Sequence, residues 1–76
     1  MSLSIGDYVS PTREAWVTFL SFVPVMELAN YNPATPPTLT IEFLGNQVGN
    51  SNLDRHVMAE EMPYWWDSKD LSHIGP

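Results

Sequence analysis

Cysteine is absent from this chain, and with it go disulfides, thiolate metal sites and thiol catalysis. Positive charge is nearly absent too. Arg13, Arg55 and Lys69 are the only basic residues among 76, against nine acids, for a formal net charge of -6. Nucleic-acid affinity comes largely from phosphate-neutralising Lys and Arg, so direct binding to DNA, RNA or anionic lipid is not expected. Long apolar runs are missing as well. The longest spans residues 15–29 and is broken by Thr18, Ser21, Pro24 and Glu27, whereas a membrane-spanning helix needs roughly 20 mainly apolar residues. The N-terminus carries no basic segment of the secretory type. The expectation is therefore a protein without a membrane span or secretory signal, cytoplasmic or part of a virion.

What the chain does have is an uneven charge distribution. No Lys or Arg occurs between Arg13 and Arg55, and that stretch holds only Glu14, Glu27, Glu42 and Asp54 as acids. Trp16, Phe19, Phe22, Tyr31 and Phe43 lie in the same span. Proteins that stand alone in solution usually intersperse charges of both signs over their surface. The pattern points to a surface covered by a partner.

The length allows one small domain, 1–76, whose core alone supplies a thin stability margin. Ser10-Pro11-Thr12-Arg13-Glu14 reads as a helix start: a capping hydroxyl, Pro at the first helical position and an acid at the positive end of the dipole. Trp16, Phe19, Leu20 and Val23 follow at helical spacing. The same run is rich in sheet-forming residues, so a strand over residues 15–23 is the competing reading. Pro24 ends or kinks the element. Residues 30–37 form a Pro-rich loop.

Residues 38–43 alternate cleanly, with Leu39, Ile41 and Phe43 on one face of a strand. Gly45-Asn46 and Gly49-Asn50 mark turns. Ser51 to Asp54 resembles a capping box, and Leu53, Val57, Met58 and Met62 suggest a second helix over about 52–62, stopped by Pro63. Leu3 to Val9 alternates weakly, as a short strand or an arm.

The expected fold is α+β, with two short helices packed on a small antiparallel sheet, extended termini and a C-terminal tail from about residue 63. A mostly β arrangement, pairing 15–23 with 38–43, is the alternative. The expected core is Trp16, Phe19, Leu20, Val23, Leu39, Ile41, Phe43, Leu53 and Val57.

Chemistry-bearing motifs are sparse. His56 and Glu60, four apart on the expected second helix, with Asp54 and Glu61 close by and His73 in the tail, give a weak metal pattern without a zinc-protease signature. Leu44 to Asn50 holds two glycines but neither the third Gly nor the Lys of a phosphate cradle. No nucleophile elbow is present. The chain is expected to be no enzyme, with no cofactor, metal or small-molecule substrate.

The sharpest local feature is Tyr64-Trp65-Trp66, a candidate partner-binding anchor. Neighbouring side chains of an extended segment point to opposite faces, so Trp65 and Trp66 cannot both fill one small core. Tyr and Trp are favoured interface anchors, and at least one indole is expected to be largely exposed.

These features favour a non-catalytic subunit or structural component of a larger assembly, such as a virion component or an accessory subunit. The alternative is a small acidic inhibitor, such as a phage-encoded anti-defence protein, docking on a basic nucleic-acid-binding surface. A metal-dependent enzyme is a weaker third reading.

Overall fold

The computed structural model describes residues 3–49 and 51–75. Asn50, half of the second turn signal, lies outside them. The fold is α+β: five strands in one antiparallel sheet, with an α-helix and a six-residue 3₁₀ helix set against it. The strands are β1 (Tyr8–Pro11), β2 (Leu39–Leu44), β3 (His56–Ala59), β4 (Met62–Asp67) and β5 (Leu71–Gly75). Their order across the sheet is β4-β3-β2-β1-β5, so the last strand returns beside the first. The helix α1 (Arg13–Phe22) and the 3₁₀ helix Val25–Asn30 both lie in the connection from β1 to β2.

Residues 15–22 are helical, and the strand reading of 15–23 falls. The cap sits two residues later than expected. Thr12 is the N-cap, and its Oγ1 accepts the Ala15 N–H at 3.2 Å. Pro11 instead closes β1, beside Leu71 of β5. That position lies beyond the pairing with β2, where the missing Pro N–H costs little. Thr12 also donates its own N–H to the Asp70 carbonyl at 2.8 Å, so one residue starts the helix and ties it to the far end of the chain. Thr12→Ala should cost about 1 kcal/mol, the usual value of a side-chain cap. Urea melts of the two proteins check this.

Helix α1 buries Trp16 and Phe19 and half-buries Leu20, and Val23 just past its end is half-buried too. It stops because Val23 precedes Pro24 and takes extended geometry, with φ -78° and ψ 133°, as residues before proline do.

The alternating strand forms as β2, with a break in its middle. Leu39 and Thr40 pair with β1, while Ile41 to Leu44 pair with β3. A bulge falls between Ile41 and Phe43, and an inserted residue reverses the faces beyond it. Leu39 and Ile41 are buried, but Phe43 is 47% exposed and Leu44 turns to the core in its place. Phe43 is thus a correction to the expected core.

The second helix is the larger correction. Ser51–Leu53 is a single 3₁₀ turn, and the chain then runs into β3 and β4. Val57 and Ala59 are buried at strand spacing. A short apolar run fits both periods, and here the edge of β2 decides it: β3 pairs Ile41 with Ala59 and Leu44 with Val57. The intervening loop folds tightly over Gly45. A β-carbon there would overlap the Leu53 carbonyl oxygen and lie 2.7 Å from that of His56. The expected tail from residue 63 is extended, and its residues form most of β4 and all of β5 within the sheet.

One side chain fastens the β3–β4 turn to β2. Glu61 accepts the Thr40 N–H at 2.8 Å and the Thr40 hydroxyl at 2.9 Å, while the Glu60 N–H donates to the Thr40 carbonyl at 2.9 Å. Partial burial works to raise the Glu61 pKa, yet the bonds from Thr40 and from its own N–H outweigh it and leave the carboxyl below its ordinary value. A lowered folded-state pKa gives stability that is present above the ordinary glutamate range and lost as pH falls through the folded value. The melting-temperature gap between the native chain and Glu61→Gln should therefore be widest near neutrality and close in acid. A gap independent of pH between neutrality and pH 3 to 4, a window about the ordinary carboxylate range, would contradict the latch.

The core is Val9, Trp16, Phe19, Leu39, Ile41, Val57, Ala59, Met62 and Trp66. Trp16 stacks on Phe19 with centroids 5.4 Å apart, and its Nε1 donates to the Asn32 carbonyl at 2.8 Å. Phe19 also lies 5.2 Å from Trp66 and 4.9 Å from Tyr64. Edge-to-face and offset pairs of this kind add to burial.

Candidate protein-docking surfaces

β4 carries the expected anchor, and its alternation divides the three residues. Tyr64 and Trp66 share one face and touch, with centroids 4.6 Å apart. Trp66 is 2% exposed and belongs to the core; Tyr64 sits at its rim, and Trp65 is half-buried on the other face beside Met58. Neither indole is largely exposed, contrary to expectation. Trp66 has no surface to offer, which leaves Tyr64 and Trp65.

A cleft of about 300 Å³ runs between α1 and β4. Glu14, His56, Trp65, Asp67 and Asp70 are among its lining residues. The three carboxylates make it acidic, although Asp67 Oδ1 already accepts the Lys69 N–H at 3.1 Å. His56 Nδ1 and Trp66 Nε1 are buried without a hydrogen-bond partner among the described residues. Such a cleft attracts basic groups.

The helix that aligned His56 with Glu60 does not form. His56 lies in β3 and Glu60 in the turn after it. His73 sits on β5, at the other side of the sheet, with Nε2 3.3 Å from Asp7 Oδ2. Among the described residues, no three His, Asp or Glu side chains are grouped to hold a metal ion.

The most exposed apolar surface lies elsewhere, at the elbow between α1 and the 3₁₀ helix. Phe22 is 77%, Val25 83% and Met26 93% exposed. Beside it, Val17, Leu20, Leu28, Tyr31 and Pro33 line a groove of about 330 Å³. The sequence placed Trp16, Phe19, Leu20 and Val23 of this run in the core and Phe22 in the span expected to be covered, but it did not single out Val25 and Met26 as exposed surface. The available signal was Pro24. It cuts the run, and the short segment after it has too few turns to bury one face while exposing another.

No family model matches the chain, and no curated protein or solved structure matches it. Among the described residues no helix is long and apolar enough to cross a membrane.

Proposed function

We propose that this protein is a non-catalytic subunit or structural component of a larger assembly and works through protein–protein contacts. One observation carries the reading: Phe22, Val25 and Met26, adjacent at one elbow, are each more than three-quarters exposed. Isolated exposed apolar residues are ordinary, but a contiguous apolar patch on a small domain marks an interaction surface. The exposed part of the Tyr64–Trp65 pair is a second contact on the β4 side. Purification from the native source, followed by size exclusion with light scattering, tests the reading. A stoichiometric complex is the expected result. A stable, bare monomer is the contrary one.

The acidic cleft favours a second reading. Glu14, Asp67 and Asp70 around one opening suit a small acidic inhibitor that occupies a basic, nucleic-acid-binding surface of another protein. Exposed charge pairs are screened by salt. Binding that falls steeply with ionic strength and yields to competing DNA or RNA supports this reading; salt-insensitive binding supports the first.

A further inference from the structure

We infer that the elbow and its groove seat a basic amphipathic helix from another protein, with apolar side chains over Val17, Leu20 and Leu28 and a Lys or Arg opposite Glu27. The inference rests on the docking reading above and specifies the partner. Its first support is the chemistry of the groove. Apart from the Tyr31 hydroxyl, the side chains lining it carry no donor or acceptor. An extended segment laid there would bury backbone N–H and C=O groups without partners, which is costly. The sheet edges that could pair with such a segment belong to β4 and β5, whereas the elbow is built from α1 and the 3₁₀ helix. A helix satisfies its own backbone and presents only side chains, as helix-in-groove complexes do.

The second support is charge. Glu27 is the only charged residue between Glu14 and Glu42. It is exposed, lies between Met26 and Leu28, and makes no ion pair among the described residues. Arg13 stands at the far end of α1 from the elbow. A helix long enough to cover both the elbow and the groove passes this exposed carboxylate, and a cation in the partner complements its charge. A second copy of the chain fits badly, since a two-fold contact sets like surfaces together and each copy carries a net charge of -6. Anionic lipid is repelled for the same reason.

The test uses the full chain and two labelled synthetic peptides of about 18 residues with helical period, one of Leu and Lys, the other of Leu and Glu. Fluorescence anisotropy should show binding of the Leu/Lys peptide only. Val25→Ser with Met26→Ser, which leaves the net charge unchanged, should weaken that binding by about tenfold or more. Glu27→Gln should weaken it several-fold, and Glu42→Gln, the same charge change on β2, should not. Amide shifts in NMR should map to residues 17–33. Equal losses for Glu27→Gln and Glu42→Gln, or shifts centred on the α1–β4 cleft, overturn the inference. So do equal binding of the Leu/Glu peptide, insertion into phosphatidylcholine vesicles, or a dimer that the Ser variants dissolve. A native complex that the Ser variants disrupt, found together with no preference for the Leu/Lys peptide, would sink this inference while leaving the docking reading intact.

Discussion

Trp66→Ala should unfold the protein or bring it close to unfolding. Removing a buried Trp typically costs about 3–5 kcal/mol, and a core this small rarely supplies a margin of more than roughly 3–5 kcal/mol. Trp66 touches Trp16, Phe19 and Tyr64, so its loss opens the layer between α1 and β4. The neighbouring Trp65→Ala should cost about 1 kcal/mol, the scale of one cross-strand pair, here with Met58. Thermal melts by circular dichroism separate the two. Similar costs for both indoles would mean that β4 does not have the facing described above.

The second large effect is Ile41→Asp. A carboxylate forced into an apolar interior without a partner costs several kcal/mol, and Ile41 is among the most deeply buried side chains. Phe43→Asp is the informative companion. Strict alternation along residues 38–43 makes the two substitutions equivalent. The bulge makes them different, because Phe43 is half in solvent. Ile41→Asp should leave no cooperative melt, while Phe43→Asp should remain folded with a loss of roughly 1 kcal/mol. Loss of folding in both would remove the bulge from the account.

Several parts of the fold were readable in the residues, and each had a local cause. Helix α1 announced itself through a first-turn acid and the spacing of Trp16, Phe19 and Leu20, while its capping hydroxyl proved to be that of Thr12, not Ser10. β2 did so through Leu39 and Ile41. What failed depended on partners distant in sequence. Leu53, Val57, Met58 and Met62 fit a helical face as a short apolar run, and only the edge of β2 selects the strand that buries Val57 and Ala59 instead. The bulge that turns Phe43 outward arises where β2 passes from one neighbour to the other. β5 pairs across nearly the whole chain with β1, and nothing near residues 71–75 encodes that partner.

The candidate site was legible in outline and misplaced in detail. The missing Lys and Arg between residues 13 and 55 pointed to a covered surface. The aromatic triplet drew attention to β4, yet two of its rings are occupied with Phe19. The surface left uncovered is the apolar elbow, built from a run whose composition alone reads as core. Exposure there follows from chain length: once Pro24 ends α1, Val25 and Met26 have no second layer to meet.

Hydrogen exchange on the protein in its native assembly, compared with the isolated chain, tests the docking account most directly. Amides of short, exposed segments exchange at low protection unless something covers them. The account predicts strong added protection over residues 22–28, with little change in the core strands β1 to β3. Unchanged exchange at the elbow in a verified complex, with protection gained only along Tyr64–Asp67 and the start of α1, would contradict it.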